Sequence, residues 1–313
     1  MFDRKKITKA VISAAGFGTR MLPATKAVSK EMLPVAGKPL IQYAVEEATS
    51  SGIETVILVV RDHKSLIQAH FARDRDLESL LGERRLSASI QLIRNLAELA
   101  DLRYVEQKNP LGLAHAISCA RPLLGDEPFA VLLPAVIMVN GEPVISQLMR
   151  VREQHGGSVV AVREVEAQDV GRFGIVRTER STMLPSSNSI PLIGLVEKPA
   201  PDKAPSRLGV SGRTYWNPSS GLLSAKPTLT QAEKCNSQMH STCFAGMHLC
   251  LVFASKAYTT ILATASVTSR LTSNSPSRVL NSASLYYNTC LPFSPKSAIE
   301  PVRHHPKIST PHS

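Results

Sequence analysis

Short β-branched runs alternating with amphipathic segments dominate residues 1–213 and leave few folds open to this chain. Thr55-Val56-Ile57-Leu58-Val59-Val60 is apolar without interruption, which marks a strand buried on both faces. Lys9 to Ala14 reads as an earlier strand, Leu102 to Glu106 and Phe129 to Leu133 as later ones, the last of them central. Pro39 to Ala48 predicts a helix, with proline near its first turn and Gly52 just past its end. Gly112 to Cys119 opens a second helix, and Pro143 to His155 forms a third. Strands at Ser158 to Val162, Gly174 to Arg177 and Leu192 to Val196 follow. Strand and helix in alternation predict a doubly wound α/β plan with a mostly parallel mixed sheet. In such sheets ligands bind beyond the carboxyl ends of the strands.

Composition narrows the class and divides the chain. Apolar residues make up 43% and charged residues 19%, which excludes a wholly disordered chain. No run reaches the length of a membrane span, and Lys9 and Gly16 interrupt the start too early for a secretion signal, so a cytoplasmic protein without a membrane partner is expected. A net charge of +11 would ordinarily point to a polyanion such as nucleic acid. Its distribution argues otherwise, because residues 214–313 carry eight basic and two acidic side chains, 28 Ser or Thr, and no Asp. That excess comes from missing acids, and no nucleic-acid partner is expected. Cys119 lies in the first part, while Cys235, Cys243, Cys250 and Cys290 lie in the second without metal-ligand spacing, so neither a disulfide framework nor a zinc site is predicted.

The loop after the first strand, Ala14-Ala15-Gly16-Phe17-Gly18-Thr19-Arg20-Met21-Leu22-Pro23, leads to Lys26 and to Lys30-Glu31-Met32-Leu33-Pro34. Glycines there let backbone N–H groups approach phosphate oxygens, and Arg20 and Lys30 can neutralise their charge. Neither a P-loop nor the third glycine of the dinucleotide fingerprint is present. Taken alone, the loop serves equally well as a phosphate cradle or as a tight turn with solvated lysines. Lys26 carries less weight as a loop charge, and His115, on the apolar side of a helix start, reads as a packed histidine rather than a base.

The whole string G-F-G-T-R-M-L-P-A-T-K-A, followed by K-E-M-L-P, resembles the bacterial UTP:glucose-1-phosphate uridylyltransferases. The resemblance continues through Gln107-Lys108-Asn109-Pro110-Leu111-Gly112-Leu113-Ala114-His115, Phe173-Gly174-Ile175-Val176, Glu197-Lys198-Pro199 and Gly212-Arg213. It covers residues 7–213 in order and implies a Rossmann-like three-layer α/β/α nucleotidyltransferase fold. The implied reaction joins UTP and glucose 1-phosphate into UDP-glucose and pyrophosphate, with Mg²⁺ as cofactor. Arg20 and Lys30 match catalytic positions. Ala14, Ala15, Gly16, Gly18 and Thr19 match the nucleotide-holding loop, and Gln107 and Gly112 match the uracil-recognising positions. Gly174, Glu197 and Lys198 match the sugar-phosphate site. Sister activities on another hexose phosphate or on dTTP share the fold, but the strings favour the uridylyltransferase.

Two departures qualify the resemblance. The family carries a metal-binding Asp after the central strand, where this chain has Ala135, so no metal-ligating residue is assigned here. Asp126 precedes that strand and cannot replace it. The second departure is residues 214–313, which lack the family's later strings. Codons permitted by Leu229 to Ser241, each started at its third base, spell D-S-G-G-E-M-Q-L-T-D-A-L, a family string. The chain is therefore expected to divide into a nucleotidyltransferase domain, 1–213, and a divergent, poorly packed tail, 214–313, read as an out-of-frame translation. The family assembles through C-terminal segments, which leaves a homo-oligomer open. Expected function is thus an impaired uridylyltransferase, with a catalytically silent sugar-nucleotide binder as the alternative.

Overall fold

The computed structural model describes residues 7–61, 66–109, 111–139, 141–178, 189–218, 250–254 and 258–261. Strand β1 (Lys9–Ser13) is followed by the glycine loop and a small hairpin, β2 (Pro34–Val35) and β3 (Lys38–Pro39). Then come α1 (Leu40–Ser50), β4 (Thr55–Val60), three helices α2 (Leu66–Phe71), α3 (Arg75–Glu83) and α4 (Ser87–Ala97), and β5 (Asp101–Glu106). Helix α5 (Leu113–Leu124), β6 (Phe129–Leu132), β7 (Val136–Val139), α6 (Val144–His155) and β8 (Ser158–Glu164) lead to β9 (Gly174–Thr178) and β10 (Ser189–Glu197). Strands β11 (Leu208–Trp216), β12 (Cys250–Ala254) and β13 (Tyr258–Ile261) complete the order.

Nine strands form one sheet in the order β5-β4-β1-β6-β11-β8-β12-β10-β9. The first four run parallel, whereas β11 is antiparallel to both β6 and β8, and β10 is antiparallel to β9 and β12. The sheet is therefore mixed, with its parallel character concentrated in β5-β4-β1-β6. Alternation along each strand sends residues to two helical layers. Ala10 and Ile12 face α1 and α6, through Ala44, Val45 and Leu148, while Val11 faces α5 through Ala116 and Ala120. Val56 to Val60 are all buried, as their unbroken apolarity requires.

Most expected elements shift by one or two residues at their ends, but β11 was not expected at all. Its glycines weaken the strand signal, and its pairing is interrupted between Val210 and Thr214, where Gly212 takes φ +75°. A Cβ on Gly212 would stand 3.1 Å from that of Leu133, so glycine permits β11 to close against the turn after β6. β11 also runs across the expected boundary at 213. Tyr215 and Trp216 are buried, and Trp216 stacks on Phe129 with ring centroids 6.4 Å apart. Of the tail, Cys250–Ala254 pairs with β8 over five residues and Tyr258–Ile261 pairs with β7. A continuous run such as Cys-Leu-Val-Phe-Ala satisfies a sheet ladder on β-propensity alone. Cys235, Cys243, Cys290 and the proposed frame-shifted string at 229–241 lie outside the described residues.

Candidate active site

Turns at the carboxyl ends of the parallel strands meet the β9–β10 hairpin around a cavity of about 460 Å³. The glycine loop supplies Gly18, Thr19, Arg20 and Lys30; the turn after β6 supplies Leu133 and Ala135; the hairpin supplies Gly174, Glu197 and Lys198. Residues far apart in sequence thus share one chamber.

Backbone conformation explains the loop. Ala14 and Ala15 are buried where β1 ends, and Ala14 N–H donates to Val59 O at 2.7 Å, anchoring the loop to the sheet. Gly18 then takes φ +64°, and a Cβ there would lie 3.1 Å from Thr25 Cγ2 and 3.2 Å from Lys30 Cβ. The Thr25 hydroxyl donates to Gly18 O at 2.8 Å and closes the turn. Gly16 leaves room for the Lys30 ammonium, which would stand 3.3 Å from an added Cβ. Lys30 ion-pairs with Glu31, a fully buried carboxylate whose second oxygen accepts no hydrogen bond. Burial pushes the Glu31 carboxyl up from its ordinary value, against the lowering effect of Lys30 and, more weakly, Arg61. Arg20, at the exposed tip, forms no ion pair among the described residues.

On the opposite wall, Glu197 Oε1 meets Lys198 Nζ at 2.6 Å, and a Cβ on Gly174 would come within 3.2 Å of Glu197 Oε2. Lys198 holds φ +44°, a region that non-glycine residues seldom occupy, and its N–H donates to Phe173 O at 3.0 Å. Strained backbone of this kind persists where the surroundings hold it, here the hairpin end that aims the ammonium at the cavity.

Gln107 and Gly112 come together beside this chamber rather than on its wall. Gln107 is buried directly after β5, and its Nε2 donates to Gly112 O at 3.1 Å and to His115 Nδ1 at 2.8 Å. Gly112, at φ +101°, starts α5. His115 is therefore a hydrogen-bonding partner of Gln107 rather than merely a packed ring.

Arg172 and Thr214 also line the cavity and were not assigned in advance. Adjacency to Phe173-Gly174 was the available signal for Arg172, whereas Thr214 reaches the cavity only because β11 crosses the sheet. Arg213 was missed as a structural residue. Fully buried, its guanidinium donates twice to Glu47 Oε2 at 2.9 and 2.7 Å, to Leu133 O at 2.9 Å and to Val136 O at 2.9 Å. It thereby clamps both sides of the turn that bears Ala135.

The donor set does not suit Mg²⁺, which takes near-octahedral oxygen ligands with one or two carboxylates. Ala135 presents a methyl group, and Glu197, the carboxylate on the cavity wall, is paired with Lys198. No group of three His, Cys, Asp or Glu among the described residues could hold a metal ion. Asp126 is exposed in the turn before β6, at the far end of that strand.

Similarity to known proteins agrees with this geometry. The nucleotidyl transferase family model matches residues 9–252. The chain is 47% identical over 216 residues to the UTP–glucose-1-phosphate uridylyltransferase YngB of Bacillus subtilis, spanning 69% of this chain and 71% of that one. It is 44% identical over 214 residues to UTP–glucose-1-phosphate uridylyltransferase 2 of Staphylococcus saprophyticus, 68% of this chain and 73% of that one. Among solved structures, a UDP-glucose pyrophosphorylase from Acinetobacter baumannii superposes with a TM-score of 0.71 at 30% identity, over 91% of this chain and all of the other. Another, complexed with UDP-glucose, gives a TM-score of 0.69 at 30% identity over 91% of this chain and 100% of that one. A glycine loop on a parallel strand facing a cationic hairpin, matched over most of the chain by one family model, is explained by common descent, and the chain belongs to the nucleotidyl transferase family.

Proposed function

We propose that this protein transfers a uridylyl group from UTP to glucose 1-phosphate. A phosphate oxygen of glucose 1-phosphate attacks the α-phosphorus of UTP in line; the new P–O bond gives UDP-glucose as the bond to the β-phosphate bridging oxygen breaks and pyrophosphate leaves. Such transfer needs positioning and charge neutralisation rather than a covalent nucleophile. The convergence of Arg20, Lys30 and Lys198 on one chamber carries the reading. Arg20 and Lys30 are assigned to the triphosphate, with Ala14 to Thr19 cradling it, and Gln107 and Gly112 to the uracil. Gly174 and Glu197 are assigned to the glucose and Lys198 to its phosphate. With no carboxylate at position 135, neutralisation falls on these side chains, and no step is assigned to a protein-held magnesium ion.

Ala135 favours a second reading, a catalytically silent protein that binds the same ligands. The deciding experiment is pyrophosphate release from UTP by near-stoichiometric protein, with and without glucose 1-phosphate. Release that requires the sugar phosphate supports transfer; UDP-glucose binding without release supports the silent reading. A cytoplasmic location and an out-of-frame origin for 214–313 belong to the same proposal, and the coding nucleotides test the latter directly.

A further inference from the structure

We propose that this chamber takes its nucleotide as the metal-free polyanion rather than as a magnesium complex, with the cations of its walls doing the neutralising. The inference rests on the reading that the chamber holds UTP, and deepens it. Among the described residues, Arg20, Lys30, Arg172 and Lys198 line the cavity, and the lining carboxylate is Glu197. Glu197 Oε1 already meets Lys198 Nζ at 2.6 Å. The carboxylates that accompany the other wall cations stand outside the lining. Glu31 pairs with Lys30, and Asp169 Oδ1 lies 3.1 Å from Arg172 Nη1, yet neither acid lines the cavity. The Arg172 and Asp169 side chains are 40% and 35% exposed, so solvent screens that pair and the guanidinium can exchange its partner for a phosphate at little cost.

The turn after β6 gives a metal ion little to hold. Ala135 presents a methyl group, and the carbonyls on either side of it are engaged, because Leu133 O and Val136 O each accept from the buried Arg213 guanidinium at 2.9 Å. A dication entering there loses water without gaining a carboxylate, and it faces the cations of both walls. Free UTP is a tetraanion at neutral pH and its magnesium complex is a dianion. Metal binding therefore cancels charge that these walls attract. A carboxylate at position 135 would reverse the balance, repelling the free polyanion and holding the ion.

The test is calorimetric titration of UTP into the full chain, once with EDTA and once with excess magnesium chloride. Potassium chloride matches the ionic strength, so that general screening is the same in both. Magnesium should weaken UTP binding by the wild type about tenfold, equivalent to ~1.4 kcal/mol. Ala135→Asp should invert the order, with UTP held more tightly in magnesium than in EDTA. Equal or tighter binding by the wild type in magnesium overturns the proposal and leaves UTP binding in place. An Asp variant that folds by circular dichroism and keeps the wild-type order shows that the preference does not come from position 135, and also overturns it. If that variant does not fold, the wild-type comparison decides by itself. Absence of UTP binding in both buffers overturns the reading of the chamber on which the proposal rests.

Discussion

The parallel half of the sheet, β5-β4-β1-β6, and the mostly antiparallel half, β11-β8-β12-β10-β9, in which β8 and β12 pair in parallel, build opposite walls of one cavity by different means. In the parallel half, β1, β4 and β6 are largely buried, and the segments that follow β1 and the edge strand β5 carry Arg20, Lys30 and Gln107. In the antiparallel half, the site sits at the ends of one hairpin, where Gly174 opposes Glu197 in register and Lys198 follows in a strained conformation. Loops on a parallel sheet supply several backbone N–H groups and long cations, which suits a triphosphate. A hairpin end supplies two side chains at fixed spacing, which suits a small sugar phosphate. On the assignment proposed above each half presents one substrate, and the two are fastened together by β11.

That fastening predicts the largest effect. Arg213→Met removes the guanidinium that ties Glu47 of α1 to the turn at Leu133–Val136, and leaves a carboxylate nine-tenths buried without its partner. Stability should fall by ~3–5 kcal/mol, measured by urea unfolding; a loss under 1 kcal/mol would show that the halves hold without the clamp.

Next in size is the nucleotide wall. Lys30→Ala should weaken UTP binding and any turnover by roughly 10²–10³-fold, while leaving glucose 1-phosphate binding largely intact. It should also lower stability at neutral pH, because Glu31 loses its cation in a fully buried site. Adding Glu31→Gln should restore stability without restoring UTP binding, so the two roles of Lys30 separate in calorimetry. On the sugar wall, Gly174→Ala places a methyl group 3.2 Å from Glu197 Oε2 and should weaken glucose 1-phosphate roughly tenfold, within the ~1–3 kcal/mol of an added methylene in a fitted pocket. UTP affinity should not change; equal losses for both ligands would contradict the division of walls.

The smallest effects come from pH. Glu31 has its pKa raised above 4.5 by burial, so the folded state binds its proton more readily and its ionisation costs stability as pH rises past that range. Glu31→Gln should therefore raise the urea midpoint at pH 7, and the difference should shrink below pH 4.5. Glu78 behaves oppositely, since hydrogen bonds from Arg73 and Arg94 hold its carboxyl down at about 2. Its contribution is full above 4.5 and is lost as pH falls toward 2, so Glu78→Gln should lower the midpoint at pH 7 and matter little near pH 2. Midpoints of both variants that track the wild type across this range would remove either group from the balance.

Much of the fold was legible because periodicity and punctuation act locally. Thr55–Val60 announced a doubly buried strand, and Pro39 and Gly52 bracketed a helix that runs from Leu40 to Ser50. The glycine loop, Gln107, Gly174 and Glu197-Lys198 were legible as an ordered set, although spacing alone gave each of them a bland alternative. What stayed illegible depended on distant partners. Gly212 was legible only as part of the Gly212-Arg213 string, yet its missing Cβ is what lets β11 close on Leu133. Glu31 was legible only as a member of the string Lys30-Glu31-Met32-Leu33-Pro34, and its full burial is a tertiary property.

Sequence by itself determined the α/β class, the order of the strings that line the cavity and the presence of a methyl group where the related enzymes are expected to carry a carboxylate. Those are properties of residue type and order. Only the tertiary structure decided which of these residues share a chamber, that Arg213 holds the turn behind Ala135, and that the Gln107 amide is hydrogen-bonded to Gly112 and His115. Burial and hydrogen-bond partners are set by atoms brought together in space, Arg213 and Glu47 across 166 positions, and no local pattern encodes them.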